Sequence, residues 1–317
     1  AEAVHRNKKR IEKAEEAAEA HKNAEEDEKS YDVERAREDE KFQKNLKKLR
    51  SSVDKFDAYS NYVNPFCEWL QGVYYMAAPA EASDLERAEK SLERVEDMVN
   101  GNSYVKEDLK LAEKRSRGGE FPPTTYIVFA SGNVPDRGQI KLDIPLFLVT
   151  DEVDYIGANF PRLIEDKEFT ETLKIRAGNN TYKPELVADM DSVVAREFKN
   201  NLPIIVTKTL IGAGMKATLA AAAREATEGQ GAVNTITRIG TTLYQVALNQ
   251  ADTRSWKSIP KQFKYARLPT PEDGCVRLST PEGTDRRVEV ASGEVNFLFV
   301  RSFKPGDKLY VRSFTLN

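Results

Sequence analysis

Leu202-Pro203-Ile204-Ile205-Val206-Thr207-Lys208-Thr209-Leu210-Ile211-Gly212-Ala213-Gly214 sits inside an apolar, small-residue region, residues 189–256, around which the chain is organised. Charged helical sequence and a few strand-like runs precede this region, and short strand-like runs follow it. Ile204, Thr207, Ile211, Gly214 and Thr218 recur at helical spacing on one face. Gly212, Gly214, Ala217 and the alanines at 220–223 allow another backbone to approach closely. A first helix is expected over 188–199. Asn200-Asn201 with Pro203 should end it and start the next, since proline removes a backbone donor. Gly229-Gln230-Gly231 breaks the run. A further helix then sets Val233, Ile236, Ile239, Leu243 and Val246 against Thr235, Arg238, Thr242, Gln245 and Asn249. Two amphipathic faces joined by a glycine turn read as a helical hairpin inserted over 188–251. Lys208 and Lys216 would each cost roughly 2.5–3.5 kcal/mol at a bilayer centre. The hairpin is therefore expected to pack on the β-rich part of the chain and not to enter a membrane.

The hairpin runs into Gln250-Ala251-Asp252-Thr253-Arg254-Ser255-Trp256. Two readings of this turn stand. Asp252 can cap nearby N–H groups, Arg254 can bind carbonyls or a carboxylate, and Trp256 can anchor the loop in a core. Alternatively Asn249, Asp252, Arg254 and Trp256 form a small recognition site in which Arg254 receives a carboxylate-bearing ligand or partner. A second constellation, Glu185, Asp189, Asp191 and Glu197, lacks the spacing of a calcium loop. These acids suit a helix start, where the dipole favours negative charge. Neither a metal site nor a cofactor site is expected.

Strand signals flank the hairpin. Residues 125–130, 140–148, 153–156 and 170–176 precede it, and 262–268, 275–279, 287–290, 295–302 and 308–314 follow, separated by Gly- and Pro-containing turns. Pro145 suggests an edge or a bulge. Short strands at this spacing argue for an antiparallel β-sandwich-like domain.

Upstream, residues 1–58 are rich in charges of both signs and contain neither glycine nor proline. Phe42, Leu46, Leu49, Val53 and Phe56 then form an apolar seam suited to packing on another helix, or to dimerisation. Asn64-Pro65 opens a helix carrying Phe66, Trp69, Leu70, Val73, Tyr74 and Met76. Ser83 with Glu86 reads as a capping box for the next helix, which ends at Asn100-Gly101. A third starts near Ser103. Gly72, Tyr75, Ala88, Leu92, Val95 and Asn100 resemble the landmarks of one tetratricopeptide repeat, with a longer turn and no closing proline. Gly118-Gly119 and Pro122-Pro123 mark the boundary. The expected organisation is therefore α+β. A helical module over 1–118 precedes a β-rich domain over 122–317 that carries the insertion at 188–251.

Composition narrows the function classes. With 317 residues, 40% hydrophobic and 31% charged, the chain is long enough for two cores. A net charge of -3 gives no general case for nucleic acid or an anionic membrane. Cys67 and Cys275, the two cysteines, imply neither a zinc site nor a disulfide framework. His5 and His21 are the only histidines. Triads, Cys/His pairs and histidine metal sites are thus disfavoured in the folded body, leaving carboxylate, lysine or tyrosine chemistry. No secretory signal is read at Ala1, and no run of roughly 18 apolar residues occurs.

The string Ala251-Asp252-Thr253-Arg254-Ser255-Trp256 with Ile259-Pro260 joins Asn64-Pro65-Phe66, Ala188-Asp189-Met190-Asp191 and Glu197-Phe198 with Leu202-Pro203. Together they resemble an uncharacterised family of bacterial envelope lipoproteins, over most of the chain after about residue 58. Its members pair a tetratricopeptide-like N-terminal part with a β-rich C-terminal part. They are often encoded beside lipoproteins that activate penicillin-binding proteins. The resemblance implies export to the periplasm or the periplasmic face of the outer membrane, with a lipid anchor at a cysteine upstream of Ala1. The function expected is that of a non-catalytic adaptor among envelope proteins in cell-wall or outer-membrane maintenance. Nucleic acid is not expected as a partner, and an oligomer through residues 1–58 is open. The alternative is a ligand-binding module or carboxylate-based enzyme with its site near Asp252 and Arg254.

Overall fold

The computed structural model describes residues 33–56, 64–99, 101–146, 154–227, 256–291 and 295–316, with the side chains of the long helix described as far as residue 212. The chain divides into two compact units, each discontinuous in sequence. One lies within 1–57, 136–164 and 195–255, the other within 58–135, 165–194 and 256–317. The expected division at 118–122 falls inside the second unit.

In the first unit, α1 (Val33–Glu38) leads into α2 (Glu40–Asp54). Asp39 caps α2 by accepting from the Phe42 amide at 2.7 Å. Phe42, Leu46, Leu49 and Val53 are all buried, as their seam spacing requires. They pack on strands as well as a helix: α2 lies on an antiparallel ribbon of β2 (Asp136–Leu146) and β3 (Asp154–Ile164), with the Phe42 and Phe160 rings 6.3 Å apart. Pro145 sits in this two-stranded ribbon, in which each strand is an edge among the described residues.

The helix break expected at 200–203 does not occur. A single helix, α6 (Met190–Thr227), runs through Pro203. Proline in a helix interior costs about 3 kcal/mol. Leu202, Ile204, Val206 and Leu210 around it are buried, and each such side chain contributes roughly 1.5–3 kcal/mol. Packing outweighs the local penalty. α6 lies beside α2 within this unit, bridged by Lys199 to Asp54 at 3.0 Å and by a hydrogen bond from Arg37 to Thr207. The second helix expected for the hairpin lies outside the described residues.

The second unit is layered about β1 (Thr124–Ser131), which is buried along its whole length. It is the middle strand of a five-stranded sheet ordered β11-β10-β1-β7-β6, with β6 (Glu185–Asp189), β7 (Gln262–Pro269), β10 (Val295–Ser302) and β11 (Tyr310–Leu316). Alternation sends Tyr126, Val128 and Ala130 into a core with Trp69, Val73 and Leu92. These come from α3 (Pro65–Ala77) and α4 (Ala82–Met98), which with α5 (Ser103–Ser116) cover that face. Ile127 and Phe129 point the other way, into a cluster with Leu173, Ile175, Val276 and Leu278. Ile175, Val276 and Leu278 come from a four-stranded sheet of β5 (Asn180–Tyr182), β4 (Lys174–Ala177), β8 (Cys275–Ser279) and β9 (Asp285–Glu289).

The structure departs from the expected pattern at four further points. β1 and β10 pair in parallel, not antiparallel; the chain between them supplies the long crossover that parallel pairing needs. β5 and β6 were absent from the expected strands, and β3 extends past residue 156 to Ile164. The capping box of α4 is Glu81 with Asp84, two residues before Ser83 and Glu86. Cys67 is exposed, Cys275 is buried, and both are free.

Candidate functional site

Of the four residues expected to form a recognition site, Asn249, Asp252 and Arg254 lie outside the described residues. Trp256 is 79% exposed, so it does not anchor a core; its carbonyl accepts from the Ile259 amide at 3.2 Å. The four acids are dispersed among separate tasks. Glu185 accepts from Ser103 at the start of α5. Asp189 caps α6 by accepting from the amides of Asp191 and Ser192, as the dipole argument requires. Glu197 is exposed. Among the described residues no group of three metal-ligating side chains occurs.

Asp191 instead enters a polar cluster at one end of the five-stranded sheet. The Lys261 ammonium pairs with its Oδ2 and lies 3.5 Å from Glu165 Oε1. Lys261 precedes β7 and Asp191 opens α6, so the pair joins a strand start to a helix start; Met190 N–H donating to the Lys261 carbonyl at 2.8 Å does the same through the backbone. Phe169 covers the ammonium, its ring centre 5.3 Å away. Gly132 is required here. Its φ is +64°, and an added Cβ would lie 2.7 Å from the Phe169 Cβ. Next to it, Arg301 donates to the Ala130 carbonyl at 3.1 Å and to Asn133 Oδ1 at 2.9 Å, while Asn133 donates to Asp166 at 3.2 Å. Thr170 and Ser302 share a hydrogen bond of 2.9 Å. The loop from Glu165 to Thr170 is thus tied down along its length.

Burial governs the electrostatics of this cluster. Desolvation pushes the Asp191 carboxyl up to about 6, against the pull of Lys261. Desolvation also brings Arg301 down to about 10, still charged at neutral pH. Asp191 Oδ1 is buried without a hydrogen-bond partner among the described residues. Chemically the cluster can hold a proton near pH 6 and offer one carboxylate oxygen to a donor.

A second buried carboxylate, Asp108, differs in being saturated. Its Oδ1 accepts from Tyr126 at 3.1 Å and Arg267 at 3.2 Å; its Oδ2 accepts from Tyr265 at 2.8 Å and Trp69 at 3.3 Å. Burial raises its pKa, opposed most by the Arg267 charge. With every acceptor direction used, it is an anchor and not a reagent.

In the first unit a groove of about 620 Å³ between α2 and α6 has Leu46, Val53, Leu202 and Val206 in its lining and Arg50 and Lys199 among its charges.

Comparison of the chain with protein-family models, with curated proteins and with solved structures returns no match. The sequence pointed to Asp191, but as a dipole partner; Lys261, Arg301 and Asp108 were missed. No local signal marks them, because each partner lies at least 70 residues away for Lys261–Asp191 and 159 for Arg267–Asp108.

Proposed function

We propose that this chain is a non-catalytic protein–protein adaptor of the bacterial cell envelope, acting in cell-wall or outer-membrane maintenance. The observation that carries the reading is an exposed apolar pair on the helical layer. Leu70 and Tyr74, four residues apart on α3, are 39% and 52% exposed, while the opposite face of α3 buries Trp69, Val73 and Met76. Half-buried Tyr75 lies beside Tyr74, ring centres 5.9 Å apart, with Arg87 of α4 5.9 Å from its ring. Aromatic groups beside an arginine are the residues from which interfaces draw most of their energy.

The repeat-like character of α3 and α4 supports the same reading. Gly72 allows Leu92 to come so close that an added Cβ would lie 2.8 Å from Leu92 Cγ, and Ala88 and Val95 share that core. This packing of a small against a large position accords with a tetratricopeptide-like pair, a class whose stacked helices form binding surfaces. The two facing layers of strands likewise accord with a sandwich-like body carrying that surface. Envelope location, and a lipid anchor upstream of Ala1, rest on the family resemblance of residues 64–66, 188–191 and 251–256.

A second reading has an observation of its own: the raised Asp191 carboxyl with its unpartnered oxygen suits a ligand-binding or carboxylate-based site. The two are separated by affinity capture from envelope extracts with wild type, Leu70→Ala/Tyr74→Ala and Asp191→Asn proteins. The adaptor reading expects a cell-wall or outer-membrane protein retained by wild type and Asp191→Asn and lost by the double variant. Equal capture by all three, or none by wild type, contradicts it.

A further inference from the structure

β11 ends the five-stranded sheet on the side opposite β6. Its sequence, Tyr310-Val311-Arg312-Ser313-Phe314-Thr315-Leu316, pairs with β10 without interruption from Val295↔Leu316 to Arg301↔Tyr310. The outer side of such a strand presents a row of N–H and C=O groups ready to pair, and proteins ordinarily blunt it. The other sheet edges of this unit are blunted. β6 shifts register between Leu186 and Ala188 and is tied to α5 by Asn102 donating to the Leu186 carbonyl at 2.7 Å. β5 has only 3 residues, and β9 reads Asp285-Arg286-Arg287-Val288-Glu289. β11 has no bulge, proline or glycine, and Arg312 is its single charge. It also leaves aromatic surface uncovered: Tyr310 is 55% and Phe314 51% exposed, although Phe314 stacks on Phe297 at 4.9 Å.

We propose that β11 pairs antiparallel with β11 of a second copy of this chain, about a two-fold axis at Ser313, so that the two five-stranded sheets become one. The sequence is self-complementary in that register. Tyr310 falls opposite Leu316, Val311 opposite Thr315, and Arg312 opposite Phe314, with Ser313 facing Ser313. Each guanidinium meets an exposed ring, a favourable cross-strand and cation–π pairing. Apolar and β-branched groups meet their like, and no two equal charges stand directly opposite. An axis at Arg312 would set two guanidinium groups face to face, and one at Phe314 would leave Tyr310 and Val311 unpaired. An isologous contact of this kind closes as a dimer and propagates no further, since each chain spends the β11 edge of its five-stranded sheet. The surface is distinct from residues 1–58, the segment whose sequence suggested self-association.

Sedimentation velocity of the full chain over a wide concentration range tests this. The expected result is a monomer–dimer equilibrium. Ser313 is exposed, so Ser313→Lys disturbs the monomer little while setting two ammonium groups across the axis. It should weaken the dimer by about fivefold or more, and mixing it with Ser313→Glu should restore the dimer. A second variant keeps the test independent of that one. Opposed antiparallel residues have Cα atoms about 4.5–5.5 Å apart, within disulfide reach. Ser313→Cys in a Cys67→Ser background should therefore crosslink two chains under mild oxidation, and Thr315→Cys in the same background should not. A monomer at every concentration overturns the proposal. So does a dimer indifferent to Ser313→Lys. A monomer that loses a captured partner on Ser313→Lys would assign the edge to a foreign strand and overturn it equally.

Discussion

The Tyr265 hydroxyl donates to Asp108 Oδ2 at 2.8 Å, joining β7 to α5 through a carboxylate that has no exposure to solvent. Trp69 of α3 and Tyr126 of β1 bind the same carboxylate, so one side chain fastens two helices to two strands. Burial pushes both tyrosine hydroxyls well above their ordinary range, which keeps them protonated as donors.

Because all four neighbours of Asp108 donate, Asp108→Asn would turn an amide N–H₂ toward donors. The expected loss is about 2–4 kcal/mol, and about 3–5 kcal/mol for Asp108→Ala, which leaves Arg267 buried without its partner. Urea unfolding monitored by tryptophan fluorescence checks this. A loss below about 1 kcal/mol for either variant would show the anchor to be dispensable.

Asp191 gives a pH dependence with a definite sign. Folded, it keeps its proton up to about pH 6; unfolded, it releases it near about pH 4. The native state binds more protons in that window, so this group's contribution to stability falls as pH rises through it. The stability of wild type relative to Asp191→Asn should therefore be greatest at the acidic end and decline toward neutrality. Thermal midpoints of both proteins at several pH values report it; a difference that is flat or grows with pH would refute the direction.

Gly72 is held by sterics and not by backbone conformation. Gly72→Ala improves helix propensity by about 1 kcal/mol, but its Cβ would stand 2.8 Å from Leu92 Cγ and 3.3 Å from the Ala88 carbonyl. Crowding of that kind costs about 1–3 kcal/mol. The net expectation is destabilisation, smaller when Gly72→Ala is made in a Leu92→Ala background than in wild type, and a double-mutant cycle measures the coupling.

Pro203 is exposed within α6 and its ring occupies a helix interior. Pro203→Ala restores a donor to the Lys199 carbonyl and should stabilise the first unit by about 1–3 kcal/mol. Helix content by circular dichroism and the unfolding midpoint should both rise; a fall would mean that the proline sets a bend the packing needs.

Period and punctuation were legible in the sequence wherever contacts are local. Asn64-Pro65 opens α3 as its residues demand, and the Phe42, Leu46, Leu49 and Val53 seam is buried. The β-rich run over 125–130 falls within β1, Thr124–Ser131; that the strand is buried along its whole length was not read. What the sequence concealed depends on distant packing. Pro203 looked like a break because its local cost is visible and the buried residues that offset it are not. β6 was not among the expected strands, because its pairing with β7 is nonlocal. The Lys261–Asp191 pair carries no motif at all.

The adaptor reading is tested most directly by a photo-crosslinking residue placed at Tyr74 in cells that make the protein. The account predicts covalent products containing a cell-wall or outer-membrane protein, absent when the probe is moved to exposed Lys48. No product from position 74, or the same products from both positions, would contradict it.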